Sequence, residues 1–115
     1  MASINTLLRK LISYVTILSM IDHNISLKPY NTFGIDVCAE QLATISDPAE
    51  LKQLLLDSHW RTQPKLVLGG GSNILLTGDV KGLVIKNSIA GIEKINENAE
   101  HVWLRIGAGE NWHYF

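Results

Sequence analysis

The sequence is short of the residues that mark out several kinds of specialised chemistry. Cys38 is the only cysteine among 115 residues, so neither a disulfide framework nor a CxxC ligand pair is available, and a reducing compartment fits best. There is no basic cluster. Ten Lys and Arg against eleven Asp and Glu leave a net charge of -1, which gives no electrostatic footprint for a nucleic-acid backbone. There is also no apolar run of the ~20 residues that a bilayer span needs. The nearest approach is Leu11 to Ile21, behind Arg9 and Lys10, but Ser13, Tyr14, Thr16 and Ser19 interrupt it and no small-residue cleavage site follows. It falls short of a span and fits a secretion signal poorly, so a soluble amphipathic helix is the first reading and a membrane-surface or signal role the second. The four histidines, His23, His59, His101 and His113, are scattered without a pair at ligand spacing or an acidic or cysteine companion, which leaves no metal site to argue for. No paired carboxylates and no Ser/His/Asp order suggest hydrolytic chemistry. The expectation is a cytoplasmic protein with no nucleic-acid and no membrane partner.

What is present suffices for one compact core. Hydrophobic residues make up 46% and charged residues 18%, enough apolar surface to offset the ordering entropy of a single domain of this size. Ile4, Leu8, Leu11, Val15 and Leu18 recur at spacings of four and three, which predicts an amphipathic helix at the N-terminus. Met20 closes that stretch and offers an alternative start.

Leu42 to Ser46 reads as a short buried strand. A helix start follows, with Asp47 as the cap, Pro48 in the first helical position and Glu50 placed to reach back. Leu51, Leu54 and Leu55 supply its apolar face, and it fades near Ser58 ahead of Pro64. Lys65 to Leu68 is a second apolar strand, running directly into Gly69-Gly70-Gly71-Ser72-Asn73. This order is a βαβ unit with a glycine-rich loop at the carboxyl end of a strand, the end at which open α/β sheets bind ligands. Beyond it, Leu83 to Lys86, Ile92 to Ile95 and Val102 to Ile106 are short strand-like runs, with Asn96-Glu97-Asn98 as a hairpin turn. Glu110 to His113 reads as the first turn of a further helix.

Consecutive glycines allow backbone N–H groups to converge on an anion, and Ser72 and Asn73 add donors. A tight turn without a ligand is the structural alternative. A P-loop would need Gly-Lys followed by Ser or Thr, and a dinucleotide fingerprint starting at Gly69 would need glycine at the place of Ile74. Neither pattern is met.

Four segments, taken in order, carry a resemblance: Asn31-Thr32-Phe33-Gly34, Leu68 to Leu75, Val84-Ile85-Lys86-Asn87, and Gly107-Ala108-Gly109-Glu110-Asn111-Trp112. Together they resemble the UDP-N-acetylenolpyruvoylglucosamine reductases from about Ser26 to Trp112. The glycine loops recur more widely among flavoproteins of the vanillyl-alcohol-oxidase type, and Asn31-Thr32-Phe33 is the discriminating piece.

The resemblance implies an α/β (α+β) fold, with a small βαβ subdomain in residues 26–82 and the first strands of a second, antiparallel subdomain in residues 83–115. Residues 1–25, the amphipathic helix, are extra to the family. It implies FAD held with its pyrophosphate on Gly69, Gly70, Gly71, Ser72 and Asn73, without a covalent link, since Ser72 stands where related flavoproteins that attach the cofactor place a histidine. It implies NADPH as reductant and a UDP-sugar enolpyruvyl ether as substrate, in peptidoglycan synthesis. The family's catalytic serine, glutamate and arginine lie beyond the equivalent of Phe115, so no catalytic residue is assigned and activity of this chain alone is not expected. Two other readings stay open: a different flavin oxidoreductase of the vanillyl-alcohol-oxidase type, and a non-catalytic remnant.

Overall fold

The structure, a computed structural model, describes residues 3–115. Helix α1, Ile4–Met20, is capped at its start by Ser3, whose hydroxyl accepts from the Thr6 N–H at 3.2 Å. Strand β1, Ile21–Ser26, follows without a break, and a short 3-10 turn over Lys28–Tyr30 leads toward β2, Cys38–Ile45. Then come α2, Pro48–Leu56, a four-residue helix α3, Ser58–Arg61, and strands β3, Lys65–Leu68, and β4, Val80–Asn87. The hairpin strands β5, Ile92–Glu97, and β6, Val102–Ile106, are the last regular elements among the described residues.

The first four strands form one sheet in the order β1-β2-β4-β3, with β2, β4 and β3 parallel and β1 antiparallel on the edge. The expected α/β class is therefore observed. Strand β4 sits between the two strands of the βαβ unit and buries Leu83, Val84 and Ile85 in succession, as a parallel strand covered on both faces must. One face packs Ala43, Ile45, Leu83 and Ile85 against Leu54 of α2, Trp60 of α3 and Ile17 of α1. On the other, Leu42, Leu68 and Val84 are covered by the loops before β2 and before β4, through Leu27, Tyr30, Ile35, Ile74 and Leu76.

The α2 start forms as its sequence directs, with one displacement. The Asp47 carboxylate accepts from Ala49 N–H at 2.7 Å, while Glu50 accepts from the N–H of Ser46 at 3.0 Å, one residue ahead of the cap.

Four boundaries differ from the sequence expectation. Residues 21–25, counted with the N-terminal helix, are the edge strand β1, paired with β2 from Ile21↔Ala43 to Ser26↔Cys38. Strand β4 runs through the expected subdomain boundary at residue 82 and belongs to the first sheet, so the antiparallel part begins only at Ile92. The hairpin turn lies at Asn98–His101, because an irregularity between Lys94 and Asn96 shifts the register and keeps Asn96 and Glu97 paired. Asn98 then closes the turn, its side chain accepting from the N–H groups of Glu100 and His101. Glu110 to His113 is not helical: a single turn is held by Asn111, whose carbonyl accepts from Tyr114 and Phe115 and whose side chain accepts from His113. One turn does not offset the cost of helix nucleation.

Asn31 organises the loop ahead of β2. Its side chain, 7% exposed, donates to the carbonyls of Leu27 at 2.7 Å and Ile35 at 3.1 Å and accepts from Ile35 N–H at 3.0 Å. Gly82 has a comparable role at the start of β4. At φ +81 it lies against Pro64, where a Cβ would come within 2.4 Å of the carbonyl oxygen.

Two substitutions measure these contacts. Gly82→Ala is expected to lower folding stability by about 2–3 kcal/mol through strain and overlap, while Gly78→Ala, whose added Cβ meets nothing within 4 Å, stays within about 0.5 kcal/mol. Urea midpoints compare the two, and equal midpoints would contradict the packing described at Pro64. Asn31→Ala leaves the half-buried N–H and carbonyl of Ile35 without their partner and is expected to lose about 2–3 kcal/mol, with amide exchange at Ile35 accelerated before that at Val84. Unchanged exchange at Ile35 would show that the side chain does not hold this loop.

Candidate functional site

The candidate site lies at the carboxyl ends of the parallel strands, where β3 passes into Gly69. The five residues singled out from the sequence, Gly69, Gly70, Gly71, Ser72 and Asn73, stay together. With Val67, Leu68 and Ile74 they line an open depression of about 280 Å³. Among the described residues, none of the backbone N–H groups from Gly69 to Asn73 donates to a protein acceptor. Ser72 and Asn73 are exposed and their side chains make no internal hydrogen bond. A loop whose donors are unspent, at the end of a parallel strand, has the ingredients of an anion cradle.

The three glycines separate into two kinds. Gly71, at φ +72, is fixed by the protein itself: a Cβ there would lie 1.9 Å from the carbonyl oxygen of Tyr30 and 2.8 Å from Cα of Asn31. Its own carbonyl accepts from Thr32 N–H at 3.0 Å. The Asn31-Thr32-Phe33-Gly34 segment thus lies directly against the glycine loop, although almost forty residues separate them in the chain. Gly69 and Gly70 are different, because a Cβ added at either meets nothing within 4 Å. Internal packing does not require glycine at those two positions.

Lys86 joins the site although it was not among the residues selected from the sequence. The β3–β4 register pairs Leu68 with Lys86, and Lys86 Nζ donates to the carbonyl oxygen of Gly69 at 2.5 Å. A cation therefore sits beside the loop. The available signal was its position directly after the apolar run Leu83-Val84-Ile85, in a segment already quoted for the resemblance.

The second glycine pair, Gly107 and Gly109, is spent on packing. Each lies against the Ser88-Ile89-Ala90 backbone, where a Cβ would come within 2.4 Å of Ile89 O and 2.6 Å of Ile89 N respectively. Their N–H groups donate to Gly91 O at 2.8 Å and Ile89 O at 2.7 Å. Glu110 accepts from Gly91 N–H at 2.6 Å, closing the same contact. This joint borders a second depression, about 620 Å³, lined by the start of α2 at Ser46-Asp47-Pro48, by Ile89 to Glu93, and by Arg105 to Ala108. Both depressions open near the carboxyl ends of the parallel sheet. Among the described residues no cluster of His, Cys, Asp and Glu is placed to hold a metal ion.

The chain matches no family model. Curated proteins do match. It is 47% identical over 93 residues to the UDP-N-acetylenolpyruvoylglucosamine reductase of Amoebophilus asiaticus, a match covering 81% of this chain and 27% of that protein. The protein of the same name from Chromobacterium violaceum is 46% identical over 92 residues, covering 80% and 27%. That from Flavobacterium johnsoniae is 45% identical over 95 residues, covering 83% and 28%. The chain therefore spans about a quarter of the length of the curated relatives it matches. Agreement at this level, over four fifths of the chain and repeated across distinct bacteria, goes beyond a shared glycine loop: over the matched residues the chain belongs to the UDP-N-acetylenolpyruvoylglucosamine reductase family.

Proposed function

We propose that the chain supplies the diphosphate-binding part of a non-covalent FAD site in an NADPH-dependent reductase, with Gly69, Gly70, Gly71, Ser72 and Asn73 as the binding residues. The observation that carries this reading is the set of unspent loop donors at the end of β3, combined with two glycines that internal packing does not require. Space kept free of side chains beside N–H groups without internal acceptors suits close approach by an anion. Lys86, adjacent through Gly69, adds positive charge to the same edge.

The residues present fit such a group in part. A depression of about 280 Å³ falls below the usual range for a complete small-molecule site, so it suits the diphosphate and leaves the rest of the dinucleotide outside it. The fold is then the first layer of a flavin domain of the vanillyl-alcohol-oxidase type, with the β5–β6 ribbon opening the second. When bound, FAD supplies hydride transfer from NADPH to the enolpyruvyl group of UDP-N-acetylglucosamine enolpyruvate, yielding UDP-N-acetylmuramate for peptidoglycan. The chain's own part is to bind and orient. Glu110 is tied to Gly91 N–H and the His113 ring stacks edge-on against Tyr114, so neither nearby titratable side chain is set up as a proton donor. No residue here is assigned a catalytic role.

Quenching of flavin fluorescence on titration with the chain tests the assignment. Gly70→Asp adds a carboxylate where the diphosphate would lie without disturbing packing, and is expected to weaken FAD binding at least about tenfold, as like charges at close quarters do. Gly70→Asn, similar in size and uncharged, should bind within about threefold of the native chain. Acid precipitation should release all flavin, and NADPH oxidation with the enolpyruvyl substrate should stay at the free-FAD background. No quenching by the native chain, or equal affinity for the two Gly70 variants, would overturn the loop assignment.

A further inference from the structure

Helix α1 meets the rest of the molecule with the wrong side for a helix that serves only the core. Its contacts to the body run through Ile17, which is buried, and Ser13 and Met20, which are half-buried. Ile4, Leu7, Leu8, Leu11, Ile12, Val15 and Leu18 face away, between 42% and 75% exposed, while Tyr14 lies on the flank and lines a groove shared with Gln53 and Leu56 of α2. At 3.6 residues per turn these seven side chains sweep about 140° of the helix circumference. Exposed apolar surface of this extent on one continuous face marks an interaction site.

We propose that α1 lies flat on an anionic lipid surface with this face in the headgroup and acyl boundary, the second of the two readings that the sequence left for this helix and not the first. Three observations select this occupant. The charges on α1 are Arg9 and Lys10, both exposed, and no acidic residue precedes Asp22 in the chain, which complements negative headgroups. A second copy of the helix is a poor match. A paired helix covers the narrow seam of a coiled coil and leaves the flanks of a wider arc wet. A bilayer surface covers the whole arc at once. Lying on the surface also fits the length, since no helix among the described residues is long and apolar enough to cross a membrane.

The full 115-residue chain is centrifuged with sucrose-loaded vesicles of phosphatidylcholine alone and of phosphatidylcholine with phosphatidylglycerol at 7:3. It is expected to sediment with the anionic vesicles and far less with the neutral ones, and to be released by raised salt. Leu8→Gln/Leu11→Gln/Val15→Gln, at exposed positions that leave Ile17 in place, is expected to abolish sedimentation. Arg9→Gln/Lys10→Gln should weaken it by about fivefold per charge removed. Circular dichroism and the fluorescence of buried Trp60 establish that the variants fold, and if the triple variant does not, the charge variant decides. A chain that remains in the supernatant with both vesicle types overturns the proposal. So does equal binding to neutral and anionic vesicles, or self-association in sedimentation equilibrium that the triple variant dissolves while vesicles are left unbound.

Discussion

The arrangement depends on one backbone-to-backbone contact. Tyr30 and Asn31 occupy the space that a side chain on residue 71 would need, and the Thr32 N–H closes the contact on the Gly71 carbonyl. That contact fixes the glycine loop from behind. With its inner side pressed against the 30–32 segment, the loop does not fold back on itself, and the N–H groups of Gly69 to Asn73 keep no acceptor among the described residues. Asn31 holds the supporting segment with three hydrogen bonds from a nearly buried amide, where any loss would leave desolvated backbone groups without partners. The Asn-Thr-Phe-Gly and Gly-Gly-Gly-Ser-Asn segments, distant in the chain, are thus two halves of one joint.

A similar economy governs the second glycine pair. Gly107 and Gly109 bring the end of β6 onto Ser88-Ile89-Ala90, tying the antiparallel ribbon to the carboxyl edge of the parallel sheet. Their N–H groups are consumed in doing so. Two glycine-rich loops that look alike as strings therefore differ in kind: one keeps donors free at an open depression, and the other spends them on a joint. Family membership agrees with both segments being present in order, and the flavin reading rests on the first of them.

Much of the fold could be read from local chemistry. The α2 start and the β3 run into the glycines are governed by capping and turn signals within a few residues, and they form where those signals lie. The alternation of Val102, Leu104 and Ile106, in contrast, reads as a half-buried strand but forms the strand with both faces exposed. What could not be read depends on distant partners. Strand β1 carries Asp22, His23 and Asn24 and owes its place to pairing with β2. Strand β4 joins the first sheet because two strands flank it, although its unbroken Leu83-Val84-Ile85 already signalled burial on both faces. At the site, the five loop residues were evident as a set, but the division between Gly71 and its neighbours was not, since it is made by Tyr30. The outward turn of the α1 apolar face was equally hidden, because periodicity defines a face and not its direction.

On the proposed reading, the contact between Gly71 and Tyr30–Asn31 presents the Gly69 to Asn73 donors to a diphosphate. Titrating the 15N-labelled chain with ADP, which carries a diphosphate without a flavin ring, tests it most directly by amide chemical shifts. Large, saturable shifts at Gly69 to Asn73, with the Thr32 amide still protected from exchange, are the result this account predicts. Shifts confined to the depression between Pro48 and Arg105, or Gly69 to Asn73 amides that do not respond to ADP at all, would contradict it.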